Sequence, residues 1–211
     1  MLVMVGDTRS KRMIQMLQRN NMSRMCLAMK PSPWEGEKWG FDNGAFGWWI
    51  KGQPFNELVF ALRLQQALAV GVPYMAVVPD LVAKGMESLD YSLDWLARLP
   101  KKWSWYLALQ DGMTENAVTD VLPLFDGLFL GGTDRFKATA WQWSKLAHDK
   151  GKKFHYGRAG TLRKLQHAYN CQADSCDSSF PLWSMERMTH FLGFNNDMRK
   201  QATLYAEEVA Q

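Results

Sequence analysis

The sequence predicts a (β/α)8 TIM-like barrel, an α/β fold, compact and irregular near strands 2 and 3. Three observations predict it. Short apolar runs alternate with longer stretches of helical period, the pattern of a parallel sheet wrapped by helices. The runs number eight, as closure of a barrel requires. Several are apolar throughout, such as Met75-Ala76-Val77-Val78 and Tyr106-Leu107-Ala108-Leu109, which marks strands buried on both faces. An open doubly wound sheet is the rival, and eight strands in 211 residues favour closure.

In chain order the strands are expected at Leu2–Val5, Cys26–Met29, Gly40–Asp42, Tyr74–Pro79, Trp105–Gln110, Gly127–Leu130, Lys153–Tyr156 and Ala173–Cys176. Leu89, Leu93 and Leu96 share one face of a helix that ends before Pro100. Phe136, Ala140, Trp143 and Ala147 form a second apolar stripe, and Leu162, Leu165 and Tyr169 a third. Pro31, Pro33 and Gly36 leave only a loop between Met29 and Gly40. No linker, low-complexity segment or close repeat divides the chain, so residues 1–211 are expected to form one domain. The aromatic stretch from Phe180 to Phe194 is expected to cover the barrel bottom or meet a partner.

Composition narrows the function classes. Hydrophobic residues make up 47% and charged residues 22%, enough to bury a core and too apolar for disorder. No apolar run approaches the roughly 20 residues of a membrane span, and the first residues are too short for a secretion signal. A cytoplasmic protein is expected, in the host cytoplasm if a phage encodes it. Cys26, Cys171 and Cys176 make no disulfide framework and lack zinc-site spacing, so neither metal nor cofactor is expected. The net charge of +4 permits an anionic partner without demanding one. The ten tryptophans and thirteen methionines are assigned to the core and an interface, with base stacking as the other use.

Enzymes on this fold carry their chemistry at the C-terminal ends of the strands. Those positions read Asp42-Asn43-Gly44-Ala45-Phe46, Pro79-Asp80, Gln110-Asp111-Gly112, Gly131-Gly132-Thr133-Asp134, Gly157-Arg158-Ala159-Gly160 and Asp174-Ser175-Cys176-Asp177. Singly, each is an ordinary loop: Asn43-Gly44 is a turn signal and Asp80 a helix cap. Together they bring carboxylates, an amide and glycines to one rim. His155 lies on a strand that can point it inward, and a packed core histidine is the plainer reading. Cys176 between two aspartates is a poor thiolate, which argues against a cysteine nucleophile.

In this order and spacing the motifs resemble the tRNA-guanine transglycosylase superfamily, and most of all its compact branch that places 7-deazaguanines in the DNA of phages and bacteria. The resemblance covers roughly Gly40 to Phe180, about two-thirds of the chain. It implies an enzyme, a pentosyltransferase that exchanges guanine in a nucleic acid for a free 7-deazaguanine base. It makes Asp177 the nucleophile and Asp42 the general acid/base. Asp80 and Gln110 read the purine edge, Gly131 and Gly132 offer it backbone groups, and Phe46 stacks on it. Asp174 orients Asp177 or binds a sugar hydroxyl. Arg135, Lys137, Arg158, Arg163 and Lys164 are the candidates for phosphate contacts, with solvated surface charge as the alternative. The sequence departs from the tRNA enzymes in lacking their Cys-x-Cys-x-x-Cys…His zinc site and in reading Asn-Gly-Ala within the first motif. DNA is therefore favoured over tRNA. An N-glycosidase using the same aspartates and a non-catalytic nucleic-acid-binding accessory subunit are the alternatives. A homodimer or a partner subunit stays open.

Overall fold

The structure, a computed structural model, describes residues 1–209, with side chains to residue 201. Eight parallel strands hydrogen-bond in chain order, and the last returns to the first, so the barrel is closed. They are β1 (Leu2–Gly6), β2 (Ser23–Cys26), β3 (Gly40–Phe41), β4 (Met75–Val77), β5 (Trp105–Leu109), β6 (Gly127–Leu130), β7 (Lys153–Tyr156) and β8 (Ser175–Ser178). Around them run α1 (Lys11–Arg19), α2 (Ala45–Trp49), α3 (Glu57–Leu68), α4 (Met86–Leu96), α5 (Glu115–Val121), α6 (Asp134–Lys137), α7 (Ala140–Asp149), α8 (Leu162–Asn170) and α9 (Met185–Val209).

Alternation along each strand separates two apolar clusters. Met4, Met25, Met75, Val77, Tyr106 and Ala108 fill the inside of the barrel. The larger cluster lies between barrel and helices, and takes in Val3, Val5, Leu107, Leu109, Phe154 and Cys176. Bulky residues inside so short a barrel need glycine neighbours. A Cβ on Gly40 would meet Met25 Sδ at 2.6 Å, and one on Gly127 would meet the Tyr106 ring at 2.6 Å. Trp39, Trp95, Trp103, Trp105 and Trp143 are buried, so half of the tryptophans are core, while Trp49, Trp141 and Trp183 are exposed.

Two strands begin two or more residues away from where the sequence reading puts them, while β1, β3, β4 and β5 differ by one or two residues at their ends. β2 lies three residues earlier than Cys26–Met29, and contains the buried Arg24. Its guanidinium is neutralised by Glu37, which accepts from Nε at 2.9 Å and from Nη2 at 2.7 Å, while the carbonyls of Thr8 and Ser32 accept two more bonds. This fork pins the helix-free loop between β2 and β3. β8 begins at Ser175 and not at Ala173, with Met4 level with Asp177. That shift puts Asp177 within the strand facing inward, and Asp174 below its lower end.

The apolar stripe from Phe136 to Ala147 is divided between α6 and α7. Thr139 Oγ1 donates to the Phe136 carbonyl at 2.6 Å and accepts from Trp143 Nε1 at 3.0 Å at the break. The aromatic stretch after β8 does not cover the barrel bottom. Its short 3-10 turn (Phe180–Leu182) packs at the upper end of β1, where Leu182 lies 3.4 Å from a Cβ built on Gly6. From there α9 descends the flank beside α8, and Arg199 donates to the carbonyls of Asn20 and Asn21 near the bottom.

Candidate active site

The first strand end is built by a turn. Gly44 takes φ +83°, and a Cβ there would come within 3.0 Å of Arg63 Nη1. The turn lets Asp42 Oδ1 accept from the Gly44 amide at 2.8 Å and Asn43 Oδ1 from the Ala45 amide at 2.8 Å. Arg63, buried on α3, donates to the backbone carbonyls of Asp42 and Asn43 at 2.7 and 3.1 Å. The arginine thus fixes the loop from behind and hydrogen-bonds no carboxylate oxygen of Asp42.

Asn43 points to the neighbouring strand, where Nδ2 donates to Val78 O at 2.7 Å and to Asp80 Oδ1 at 2.6 Å. Gln110 Nε2 donates to Asp80 Oδ2, and Gln110 Oε1 accepts from the Ala83 amide at 3.3 Å. Asp80 is therefore a buried carboxylate of the site and does not cap α4, which starts six residues later. Its two oxygens have about four acceptor positions, of which the protein fills two. Asp111 braces the next loop, accepting from the Thr133 amide at 2.8 Å and from the Thr133 hydroxyl at 2.6 Å. Gly132 follows at φ +71° and lines the mouth of the barrel. Gly131 does not offer its amide to a ligand, because that N–H continues the sheet by donating to Leu109 O at 3.2 Å.

Asp177 is fixed by β7. His155 Nε2 lies 3.1 Å from Asp177 Oδ1, and the Arg158 amide donates to the same oxygen at 2.9 Å. His155 is fully buried, its Nδ1 is 2.8 Å from Ser175 Oγ, and its ring stacks on Phe129 with centroids 4.8 Å apart. Both contacts converge on Oδ1, which leaves Oδ2 without a hydrogen bond among the described residues. His155 is thus part of the site as well as of the core. Its position on an inward-facing strand was the one signal in the sequence; its contact with Asp177 depends on the register of β7 against β8.

The two aspartates are biased in opposite directions. Burial, and then the charge of Asp177, push the Asp42 carboxyl above the ordinary range, against the Gly44 amide. Burial also opposes ionisation of Asp177. The His155 hydrogen bond and charge, the Arg158 amide and the Lys137 charge outweigh it and hold Asp177 below that range. Burial raises Asp80 to about 6, with the Asp42 charge adding to it and Asn43 and Gln110 opposing. One fold thus holds two carboxyls at different proton affinities. No protein-family model matches the chain, and neither does any curated protein.

A cavity of about 340 Å³ is lined by Phe46, Trp49, Gln110, Gly132 and Arg158 among others. Asp42, Asp80 and Asp177 do not line it, and Gln110 and Arg158 are the residues that join it to Asp80 and Asp177. A second cavity of about 390 Å³ lies outside the barrel between α6 and α8, and Lys137 and Lys164 line both. Among the five proposed phosphate ligands, Arg158 is at the mouth and Arg163 and Lys164 edge the outer cavity, with Lys164 paired to Asp134 at 2.6 Å. Arg135 is exposed and lines neither cavity. Lys137 is no surface cation. It is 3% exposed and its ammonium donates to Gly157 O, while burial and then the Arg158 charge lower it to about 7.

Asp174 lies outside the site. It is at the opposite end of β8, where it accepts from the Phe154 amide at 2.8 Å and pairs with Lys153 and His148 at 3.0 Å each. It neither orients Asp177 nor faces the mouth. Cys176 points outward into the helix-side core, and burial, with Asp177 adding to it, raises its thiol. Among the described residues no group of three or more His, Cys, Asp or Glu is placed to hold a metal ion. Within the same residues no helix is long and apolar enough to cross a membrane.

Proposed function

We propose that this chain is a base-exchange transglycosylase that replaces guanine in a nucleic acid, DNA in preference to tRNA, with a free 7-deazaguanine. The observation that carries the reading is the opposed bias of Asp42 and Asp177 at one barrel mouth. Asp177, held ionised with Oδ2 unengaged, attacks the sugar carbon. The bond from that carbon to the base nitrogen breaks, and its electron pair goes to the nitrogen. Asp42, whose proton affinity burial raises, delivers a proton to that nitrogen. The incoming base then loses its ring proton to Asp42 and attacks the same carbon, and Asp177 leaves. Two inversions give net retention.

Asp80 supports purine recognition, since its two unfilled acceptor positions suit a ring N–H and an amino group side by side. A base without those donors would leave a buried carboxylate unpaired. Because the sugar carbon and the leaving base are enclosed within a duplex, the target nucleotide must leave it or be single-stranded. DNA is favoured over tRNA by the resemblance to the compact branch.

The test is an exchange assay with guanine-containing DNA, tRNA in parallel, and radiolabelled 7-deazaguanine. Label is expected in DNA with the unaltered protein and none with Asp177→Asn. Label in tRNA alone would keep the chemistry and change the polymer. Abasic sites without label would make the chain an N-glycosidase. Binding without any bond cleavage by the folded protein would make it an accessory subunit.

A further inference from the structure

Arg158 is in an unusual place for a long side chain. Its φ is +54°, the left-handed region that residues other than glycine seldom adopt. The neighbouring backbone holds it there. Its own amide donates to Asp177 Oδ1 at 2.9 Å, and the Ala159 amide donates to the Asp177 carbonyl at 2.6 Å. The result is a side chain that leaves β7 across the barrel mouth. Its guanidinium carbon lies 3.8 Å from the centroid of the Phe46 ring, and Nη2 donates to Gly132 O at 3.1 Å.

Phe46 follows β3, on the other side of the barrel from β7. It is 37% exposed and leans on Trp49, with centroids 5.7 Å apart and 28° between the planes. Phe46, Arg158, Gln110 and Gly132 line one cavity, and Gln110 is the residue that grips Asp80. A flat group with N–H donors thus lies on an aromatic face and donates to a loop carbonyl. A purine base of the guanine type has the same plane and the same kind of donor.

Resting on the base-exchange reading, we propose that Arg158 is a displaceable plug: its guanidinium occupies the place on Phe46 that the substrate base takes, and the entering base drives it off. The exchange is close to balanced, because stacking on an aromatic ring and a cation over the same ring are of similar strength. The displaced guanidinium stays tethered to the residue whose amide holds Asp177. It is then free to take the phosphate of the nucleotide under attack, for which its planar fork is suited. Base entry and phosphate capture are coupled through one side chain. A free base alone gains only the first half and binds weakly, whereas a nucleotide in a strand gains both.

The experiment titrates 7-deazaguanine calorimetrically into the unaltered protein, Arg158→Ala, Arg158→Lys and Asp80→Asn, with folding checked by circular dichroism. Arg158→Ala is expected to bind the free base about tenfold tighter, since it removes a competing contact worth roughly the 1.4 kcal/mol of a tenfold change. Alanine keeps the same backbone amide and adds no new strain. Arg158→Lys keeps the charge without the plane and is expected in between. In parallel, binding of a guanine-containing single strand is followed against salt. Its slope should fall by about 0.7 in Arg158→Ala and stay unchanged in Arg158→Lys. Base affinity equal in the unaltered protein and Arg158→Ala, yet lost in Asp80→Asn, would overturn the plug and leave base exchange standing. No base binding by either would overturn the base-exchange reading and the plug with it.

Discussion

Replacing His155 by phenylalanine isolates what the imidazole does for Asp177. Phenylalanine keeps a flat ring for the stack on Phe129, 4.8 Å away, and nearly keeps the buried volume, but removes both nitrogens. Asp177 Oδ1 then has only the Arg158 amide, and Ser175 Oγ loses its partner at 2.8 Å. A hydrogen bond to a charged group contributes about 1.5–3 kcal/mol, which is roughly a 10- to 150-fold change. On the proposed base-exchange chemistry, the first half-reaction, release of guanine in a single turnover, should slow by about that factor near neutral pH. The direction with pH follows from the donors. Asp177 is held below the ordinary range against its burial, so losing a donor raises its proton affinity and moves the acid limb of the rate profile to higher pH. Stability follows the same sign. A depressed carboxyl stabilises the fold above its unfolded value, near pH 4, and loses that contribution as pH falls through the folded value. His155→Phe should therefore unfold at lower denaturant at pH 7, and the gap should narrow toward pH 3. His155→Gln is the control for shape, because its Nε2 is as many bonds from the backbone as the imidazole Nε2 and can restore the donor. A folded His155→Phe protein whose rate profile overlays that of the unaltered protein would refute the reasoning. So would a His155→Gln protein no better than His155→Phe.

Asp174→Asn should exchange bases at the unaltered rate while losing about 1–2 kcal/mol of stability at neutral pH, read by urea unfolding. The loss should vanish below the ordinary aspartate range, because the Phe154 amide, His148 and Lys153 outweigh burial and depress this carboxyl. Gly132→Ala should cost more than about 1 kcal/mol, since φ is +71° there and a Cβ would meet Asp111 Oδ2 at 2.5 Å and Phe136 Cδ1 at 2.6 Å. Thermal unfolding would measure it, and an unchanged midpoint would mean that the loop is free to move.

The parts of the fold legible in the sequence are those with apolar strands. Gly127–Leu130 and Lys153–Tyr156 are read to the residue. β2 is misplaced because Arg24 looks like a surface residue until Glu37, 13 positions on, is folded against it. β8 is misplaced because Ser175-Cys176-Asp177-Ser178 has no apolar alternation, its inward face being polar. That error of two residues is also why Asp174 looks like a site residue. Part of the candidate site is legible at its loops: Gln110, Phe46, Gly132 and Arg158 line one cavity, and Asp80 is gripped by Gln110 and by the neighbour of Asp42. His155, Asn43 and Arg63 were not legible as site residues. Each acts through a partner on another element, and no local pattern records which partner that is.

Why two aspartates on one barrel should differ at all comes down to which donors each strand end supplies. Asp42 is at the tip of β3, where Gly44 provides one amide and Arg63 directs its guanidinium to the backbone carbonyls. With a single donor, burial prevails and the carboxyl is pushed above the ordinary range. Asp177 faces inward from β8, one strand from β7, and so receives His155 and the Arg158 amide, with Lys137 adding charge from behind Gly157. There burial loses and the carboxylate persists. The negative charge on Asp177 in turn raises Asp42, so the donors that hold Asp177 down also act on Asp42. Weakening the donors of Asp177 therefore acts on both limbs of the rate profile. It raises the limb set by ionisation of Asp177, and because Asp177 is still ionised at the upper limb while the His155 charge that lowers Asp42 is gone, the limb set by the proton on Asp42 moves up as well. A profile whose two limbs both move to higher pH in His155→Phe is the signature of an imidazole shared by the two carboxyls, and a histidine that acted on Asp177 alone would move only the first limb.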